Sequence, residues 1–205
     1  MENDIRMEGQ EGKAPMKVWM SPETKNKNRY ALESVGGLLG IVAVMLAFIA
    51  AGSILPLMFG WDVRYVSLTV CIAVTVLGFW LARRLGQRSV RNALYFFLDE
   101  EDRLYALDVR LMVRYGRGLS GYAEASAKIQ HRLDEIKRMA DSGYLLSSLA
   151  MEILQVESIR EKQRVYSMIC RVQYGNGGTG KRTLLLVKGY EEEESLIREL
   201  ERREV

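Results

Sequence analysis

Residues Ser34–Trp61 read SVGGLLGIVAVMLAFIAAGSILPLMFGW and contain 28 positions without a charged side chain. An α-helix rises about 1.5 Å per residue, so roughly 20 apolar residues cross the hydrocarbon core of a bilayer, which is about 30 Å thick. Proline lacks the backbone N–H that a helix interior needs, and Pro56 therefore predicts that the helix ends near Leu55. We expect a transmembrane helix over residues 34–55.

A second uncharged stretch, Tyr65–Ala82, is separated from the first by Asp62, Val63 and Arg64. Its 18 residues just suffice to span a bilayer. A connection this short makes the two segments antiparallel neighbours, and a helix satisfies their backbone polar groups in lipid. The sequence thus predicts a transmembrane hairpin over residues 34–84, with helices at about 34–55 and 65–84.

Two other interpretations of these stretches are weaker. The first could be a cleaved signal peptide. However, 33 mostly polar residues precede it, far more than usually precede the apolar region of a signal peptide. The second could be a buried helix of a soluble domain, but it directly follows the first and ends in a basic cluster. We therefore favour an uncleaved hairpin.

Positive charge is concentrated after the second stretch. The connecting loop has Arg64 as its only basic residue. Four arginines follow the second stretch before any acidic residue: Arg83, Arg84, Arg88 and Arg91. By the positive-inside rule we expect both termini in the cytoplasm, in a multi-pass protein of the plasma (cell) membrane. The arginines could also attract anionic lipid head groups, at about 1 kcal/mol each, although setting the topology is the simpler interpretation.

Other residues of the hairpin predict its depth and packing. Tryptophan favours membrane interfaces, so we expect Trp61 at the outer boundary and Trp80 at the inner one. Small residues four positions apart let two helices approach closely. Gly36 and Gly40 have this spacing, and so do Ala43 and Ala47. They predict packing against the second helix or, as the second choice, against another copy of the chain. Neither span contains an ionisable residue, which counts against a transporter or pump.

The segments flanking the hairpin differ in kind. Residues 1–33 have six basic and six acidic side chains and no lasting periodicity, so we predict a mostly disordered cytoplasmic arm. Residues 92–205 are long enough for a compact cytoplasmic domain. Their patterns predict an α+β domain with an antiparallel sheet, in the order β-β-α-(α)-β-β-β-α. Strands are expected at 94–98, 105–115, 153–159, 165–174 and 181–188, and helices at 121–140, 144–150 and from 191 onward.

Few residues of the chain are candidates for chemistry. The loop Gly175–Lys181 matches the start of a phosphate-binding loop, but Arg182 stands where Ser or Thr should hold magnesium, and a strand pattern follows instead of a helix. His131 is the only histidine, and Cys71 and Cys170 are the only cysteines, which excludes multi-histidine metal sites and a disulfide framework. We expect no catalytic set, metal or cofactor.

Nucleic-acid binding is also not expected. The formal charge of +3 arises from +4 in residues 34–91, while residues 92–205 have 18 basic and 19 acidic side chains and no basic stripe. The mildly basic balance therefore indicates membrane topology rather than a nucleic-acid partner.

The C-terminal half carries a resemblance. The strand meander at 153–188 and the closing helix EEEESLIRELERR resemble bacterial membrane proteins in which a two-helix hairpin precedes a pleckstrin-homology-like domain. The predicted helix at 121–140 and the small number of N-terminal strands depart from that pattern. The resemblance implies such a fold for about half of the chain.

We expect a non-enzymatic membrane protein whose hairpin tethers a cytoplasmic α+β interaction or regulatory domain. Its partners would be the lipid bilayer and a protein or a second copy of the chain. One alternative is a membrane-anchored nucleotide-binding protein that uses the loop at 175–181. Another is a small subunit of an oligomeric membrane complex or channel.

Overall fold

A computed structural model of the chain describes residues 17–60, 62–141 and 150–204. Within them, six strands form one antiparallel sheet whose spatial order equals their chain order. The strands are β1 (Lys17–Trp19), β2 (Leu94–Leu98), β3 (Leu104–Asp108), β4 (Met151–Glu161), β5 (Val165–Gln173) and β6 (Thr179–Val187). The helices are α1 (Pro22–Asn26), α2 (Tyr30–Phe59), α3 (Val63–Ala93), α4 (Gly118–Asp141) and α5 (Glu193–Glu201). The α+β class and the antiparallel sheet are confirmed.

Helices α2 and α3 form the hairpin, and both are longer than predicted. The predicted end near Leu55 is wrong, because α2 continues through Pro56 to Phe59. A proline in the last turns removes a single hydrogen bond, and the helix ends where Gly60 adopts a left-handed conformation with φ of 66° and donates to the Pro56 carbonyl. Helix α3 extends past the predicted end at 84 and leads directly into β2.

The two helices present apolar surface outward. Segments Tyr30–Ile54 and Arg64–Ala93 are long and apolar enough to cross a membrane. The most apolar window of the first is 0% buried and that of the second 11% buried, unlike the core helix of a soluble domain. Large apolar side chains exposed along them include Leu46, Phe48, Met58, Leu68, Ile72 and Phe79.

Residues 17–33, which we assigned to a mostly disordered arm, are instead part of the folded domain. Strand β1 pairs with β2, so that Trp19 lies opposite Phe96, and the Trp19 side chain is only 1% exposed. Ser21 caps α1 by accepting from the backbone N–H of Thr24. A three-residue strand is too short for a periodic pattern, which explains why the sequence did not reveal it. Residues 1–16 lie outside the described part of the chain.

The sheet is covered on both faces near its N-terminal edge. Phe96 and Leu104 pack with Leu196 and Leu200 of α5 on one face. On the other face, Tyr95, Phe97 and Leu107 pack with α4, whose buried side chains include Ile129 and Leu133. Strands buried on both faces lack the simple alternation of a half-buried strand, and β2 accordingly reads LYFFL.

The strand predicted at 105–115 is wrong in extent. Strand β3 ends at Asp108, and Val109–Met112 form a 3-10 turn. The Asp108 carboxylate accepts from the backbone N–H of Arg110 at 3.1 Å and pairs with its guanidinium, which starts the turn. The alternation of apolar and polar residues in the sequence therefore extends beyond Asp108, where the contact with Arg110 ends the strand.

The remaining elements agree with the patterns. Strands β4 to β6 and helices α4 and α5 lie within a few residues of their predicted bounds. Helix α4 begins at Gly118, three residues before its predicted start at 121. The short helix predicted at 144–150 falls on residues outside the described part, apart from Ala150.

A polar junction joins the base of the hairpin to the domain. Asn92, at the end of α3, is 5% exposed and accepts from the hydroxyl groups of Ser21 and Thr24 through its side-chain and main-chain oxygens. Its amide donates to the Glu33 carboxylate on α2 at 3.1 Å. These bonds fix α1, α2 and α3 against one another where both helices meet the sheet.

Candidate functional site

A strongly basic concave surface lies where α3 meets the turn between β4 and β5. We call it the basic cleft. Its lining comprises Trp80, Arg83, Arg84, Gln87, Arg88 and Arg91 from α3, Lys162, Gln163, Arg164 and Val165 from the turn and the start of β5, and Val187 and Lys188 from the end of β6.

Helical periodicity places the arginines. Helix α3 continues without a break beyond Ala82, the last residue of the uncharged stretch. Residues four and three positions apart share a helix face, so Arg84, Arg88 and Arg91 line the same side. All four arginines that the sequence singled out line the cleft, and the structure joins them to cations from distant parts of the chain.

The sheet places the second wall of the cleft. Strands β5 and β6 pair Val165 with Val187, which brings Lys188 beside the β4–β5 turn. The backbone N–H of Lys188 donates to the Arg164 carbonyl at 3.0 Å, and that of Lys162 donates to the Val165 carbonyl at 2.8 Å. Main-chain hydrogen bonds thus fix the conformation of the turn and hold it beside Lys188.

The cleft comprises two adjoining cavities. The larger has a volume of about 380 Å³ and extends to Arg88, Arg91 and Lys188. The smaller, of about 240 Å³, extends to Trp80 and Lys162. Arg84, Gln87, Gln163 and Arg164 line both. The larger volume falls in the range of sites that take small molecules or lipid head groups.

Seven cationic side chains line the cleft, and two of them pair with carboxylates. Arg91 pairs with Glu23 of α1, and Lys188 pairs with Glu161 of β4. The hydrogen bond that the Lys188 ammonium donates to the Glu161 carboxylate raises the pKa of Lys188, which favours its charged form. Within the described residues, no carboxylate forms an ion pair with the other five: Arg83, Arg84, Arg88, Lys162 and Arg164.

Two guanidinium groups in the cleft have buried donors to spare. The Nε atoms of Arg84 and Arg91 are buried and have no hydrogen-bond acceptor within the described residues. A buried donor without an acceptor costs about 1–3 kcal/mol. Guanidinium groups match carboxylate and phosphate oxygens in geometry, so a cleft lined by arginines suits an oxyanion.

Aromatic residues mark both ends of the arginine row. Arg84 lies over the Trp80 ring, with 4.1 Å from its central carbon to the ring centroid. The Trp80 side chain is 48% exposed. At the other end, the Tyr190 hydroxyl donates to the carbonyl oxygens of Arg91 and Leu94, and burial raises its pKa. Trp61, which the sequence placed at the opposite boundary, lies outside the described residues.

The predicted helix-packing residues do not face α3. A Cβ atom added to Gly36 or Gly40 would meet no described atom within 4 Å, and Ala43 and Ala47 are exposed. Instead, α3 approaches α2 at Gly37, next to Leu85, and at Gly52, next to Val70. The prediction that the face with Gly36 and Gly40 packs against the second helix is therefore wrong. Neighbouring helix positions point about 100° apart, so the face that contains Gly37 contacts α3 instead.

The glycine-rich loop forms a hairpin turn between β5 and β6. Tyr174 N–H donates to the Gly178 carbonyl and Gly177 N–H to the Tyr174 carbonyl, both at 2.8 Å, while Gly177 has φ of 80°. Lys181 lies on β6 and pairs with Glu157. The loop leads into a strand, so no helix N-terminus follows it to meet a phosphate.

The other candidates are dispersed. His131 is exposed on α4, Cys71 is exposed on α3, and Cys170 is buried in β5, where burial raises the pKa of its thiol to about 11. Within residues 17–60, 62–141 and 150–204, no three His, Cys, Asp or Glu side chains form a group that could hold a metal ion.

Sequence reasoning found four of the seven cations of the cleft, together with Trp80. It missed Lys162, Arg164 and Lys188 because only the strand pairing brings them to α3. Two cations in a short turn between strands were the available signal, and taken alone they indicate a solvent-exposed turn.

Comparisons with family models, with curated proteins and with solved structures found no match to this chain. The resemblance to hairpin proteins with a pleckstrin-homology-like domain therefore stays a prediction.

Proposed function

We propose that the chain is an integral membrane protein whose hairpin tethers a cytoplasmic α+β interaction or regulatory domain, without catalysis of its own. The observation that carries the proposal is the position of the basic cleft, which begins at Trp80, where the exposed apolar surface of α3 ends. Apolar patches as extensive as those of α2 and α3 are rare on soluble monomers and typical of surfaces that contact lipid.

The fold supports an anchor that is kept. Cleavage near Ala50 to Ser53, as in a signal peptide, would remove β1 and with it the buried Trp19. The same pairing of β1 with β2 supports a topology in which the chain before and after the hairpin lies on one side of the bilayer. The arginines at the end of α3 favour the cytoplasmic side.

The chemistry of the cleft favours recognition over catalysis. Its lining consists of arginine, lysine, glutamine, tryptophan and valine. General acid–base and nucleophilic catalysis rely mainly on His, Asp, Glu, Cys or Ser, or on a lysine of lowered pKa. A fixed array of cations binds anions. If the hairpin spans a membrane as proposed, this array lies at the membrane surface.

Cysteine labelling of the full-length chain tests the topology. In a Cys71→Ser background, single cysteines replace Asp62 at the tip of the hairpin or Glu100 in the β2–β3 turn, both of which are exposed. Cys170 stays in place because burial and its raised pKa suppress its reaction.

We expect a membrane-impermeant maleimide to label Asp62→Cys on intact cells and Glu100→Cys only after permeabilisation. The reverse pattern would overturn the orientation. Release of the chain from membranes by alkaline carbonate would overturn the anchor itself.

A further inference from the structure

We propose that the basic cleft binds the head group of an anionic phospholipid with two phosphate groups, drawn from the leaflet that surrounds α3. The inference rests on the proposed function, since it names the ligand of a domain held at the membrane. It goes beyond the topology role that the arginines alone would have.

Topology does not explain the second wall of the cleft. The positive-inside rule accounts for arginines that follow a membrane helix, but not for cations that the sheet brings back against them. Arg164 and Lys162 face Arg84 across the smaller cavity without a carboxylate to offset them. Like charges gathered in this way repel one another and destabilise a fold, and a bound polyanion would remove that cost.

The charge of the cleft sets the charge of its ligand. Seven cations and the two paired carboxylates leave a formal excess of five positive charges. A phosphodiester head group carries a single negative charge, and a zwitterionic one carries none in total. A head group with two phosphates carries more negative charge and matches this excess better. The two adjoining cavities share Arg84 and Arg164, and each cavity offers one phosphate a set of cations.

The position of the cleft favours a lipid over a soluble anion. Trp80 lies at the edge of the smaller cavity, and the exposed apolar surface of α3 continues from it through Phe79 and Val76. Acyl chains along that surface would place their head group at Trp80 and Arg84.

The test uses the full chain in nanodiscs of phosphatidylcholine. Three probes are titrated: diphosphatidylglycerol, phosphatidylglycerol at equal total charge, and soluble pyrophosphate. Binding is read by native mass spectrometry of the released protein and by the fluorescence of its tryptophans. The test variant is Arg88→Gln/Arg164→Gln, which removes one exposed cation from each wall. The control is Arg171→Gln/Arg198→Gln, which removes two exposed cations elsewhere in the domain.

We expect diphosphatidylglycerol to bind at least about tenfold more tightly than phosphatidylglycerol, and the test variant to lose about tenfold or more of that affinity. The control should stay within about twofold. Equal affinity for the two lipids, or equal losses in both variants, would overturn the proposal. Binding of pyrophosphate in preference to either lipid would assign the cleft to a soluble phosphate compound and overturn the lipid as its source. Nanodiscs expose both faces, so these outcomes do not depend on the orientation that cysteine labelling tests.

Discussion

At the scale of single residues, Trp19 is the side chain on which the N-terminal edge of the sheet depends. It is buried in the cluster that joins β1 and β2 to α5, and its Nε1 donates to the Ser195 hydroxyl at 2.8 Å. Its neighbour Lys17 forms an exposed ion pair with Glu192 instead. Two residues of one short strand therefore differ sharply in what they contribute to stability.

We expect Trp19→Ala to lower the free energy of unfolding by about 3–5 kcal/mol, because it removes a large buried side chain. Lys17→Ala should cost at most about 1 kcal/mol, as exposed ion pairs do. Denaturant titration of the detergent-solubilised protein measures both. Similar values for the two variants would show that β1 does not hold the domain together.

At the scale of elements, the hairpin packs through glycines that its sequence pattern did not single out. A Cβ atom at Gly52 would lie 2.5 Å from a Val70 methyl group, closer than real contacts allow. Gly40 has open space at the same position. Gly52 and Gly40 therefore make a matched pair on one helix, since Gly52 is tightly packed against α3 and Gly40 is not.

Gly52→Ala should destabilise the hairpin by about 1–3 kcal/mol through overpacking. Gly40→Ala should leave its stability unchanged or raised. Thermal unfolding in a mild detergent compares them. An equal loss at Gly40 would contradict the packing described here and would indicate that this face contacts a second copy of the chain.

Local patterns predicted the elements whose causes are local. Strands β4 to β6 are separated by turns rich in polar residues and glycine, and α5 has Leu196 and Leu200 one turn apart. The pairing of β1 with β2 depends on residues on opposite sides of the hairpin, which no window of sequence compares. The cleft divides in the same way, since its arginines share one helix and its other cations reach them through the sheet.

At the scale of the whole molecule, the hairpin is an insertion within the domain rather than a segment placed before it. Sheet residues precede and follow it, and the Tyr30 and Ser89 hydroxyls at its base are 2.6 Å apart. The sequence suggests residues 92–205 as an independent unit. That fragment lacks β1, α1 and Trp19.

We expect the fragment 92–205 to aggregate or unfold without cooperativity, because it exposes the edge of β2 and the cluster under Trp19. Joining residues 17–29 to residues 88–205 through a short Gly/Ser linker should restore a cooperative transition. Circular dichroism during thermal unfolding distinguishes the two. A stable, cooperative 92–205 fragment would show that β1 is dispensable.

The pairing of β1 with β2 also sets an order of events during biosynthesis. Residues 17–19 leave the ribosome first, yet the strand they pair with follows both long helices. Trp19 therefore stays solvent-exposed until the hairpin has been synthesised and its ends have come together. Under the proposed function, completion of the sheet coincides with insertion of the hairpin, and a chain that fails to insert retains an open strand edge that can pair with another chain.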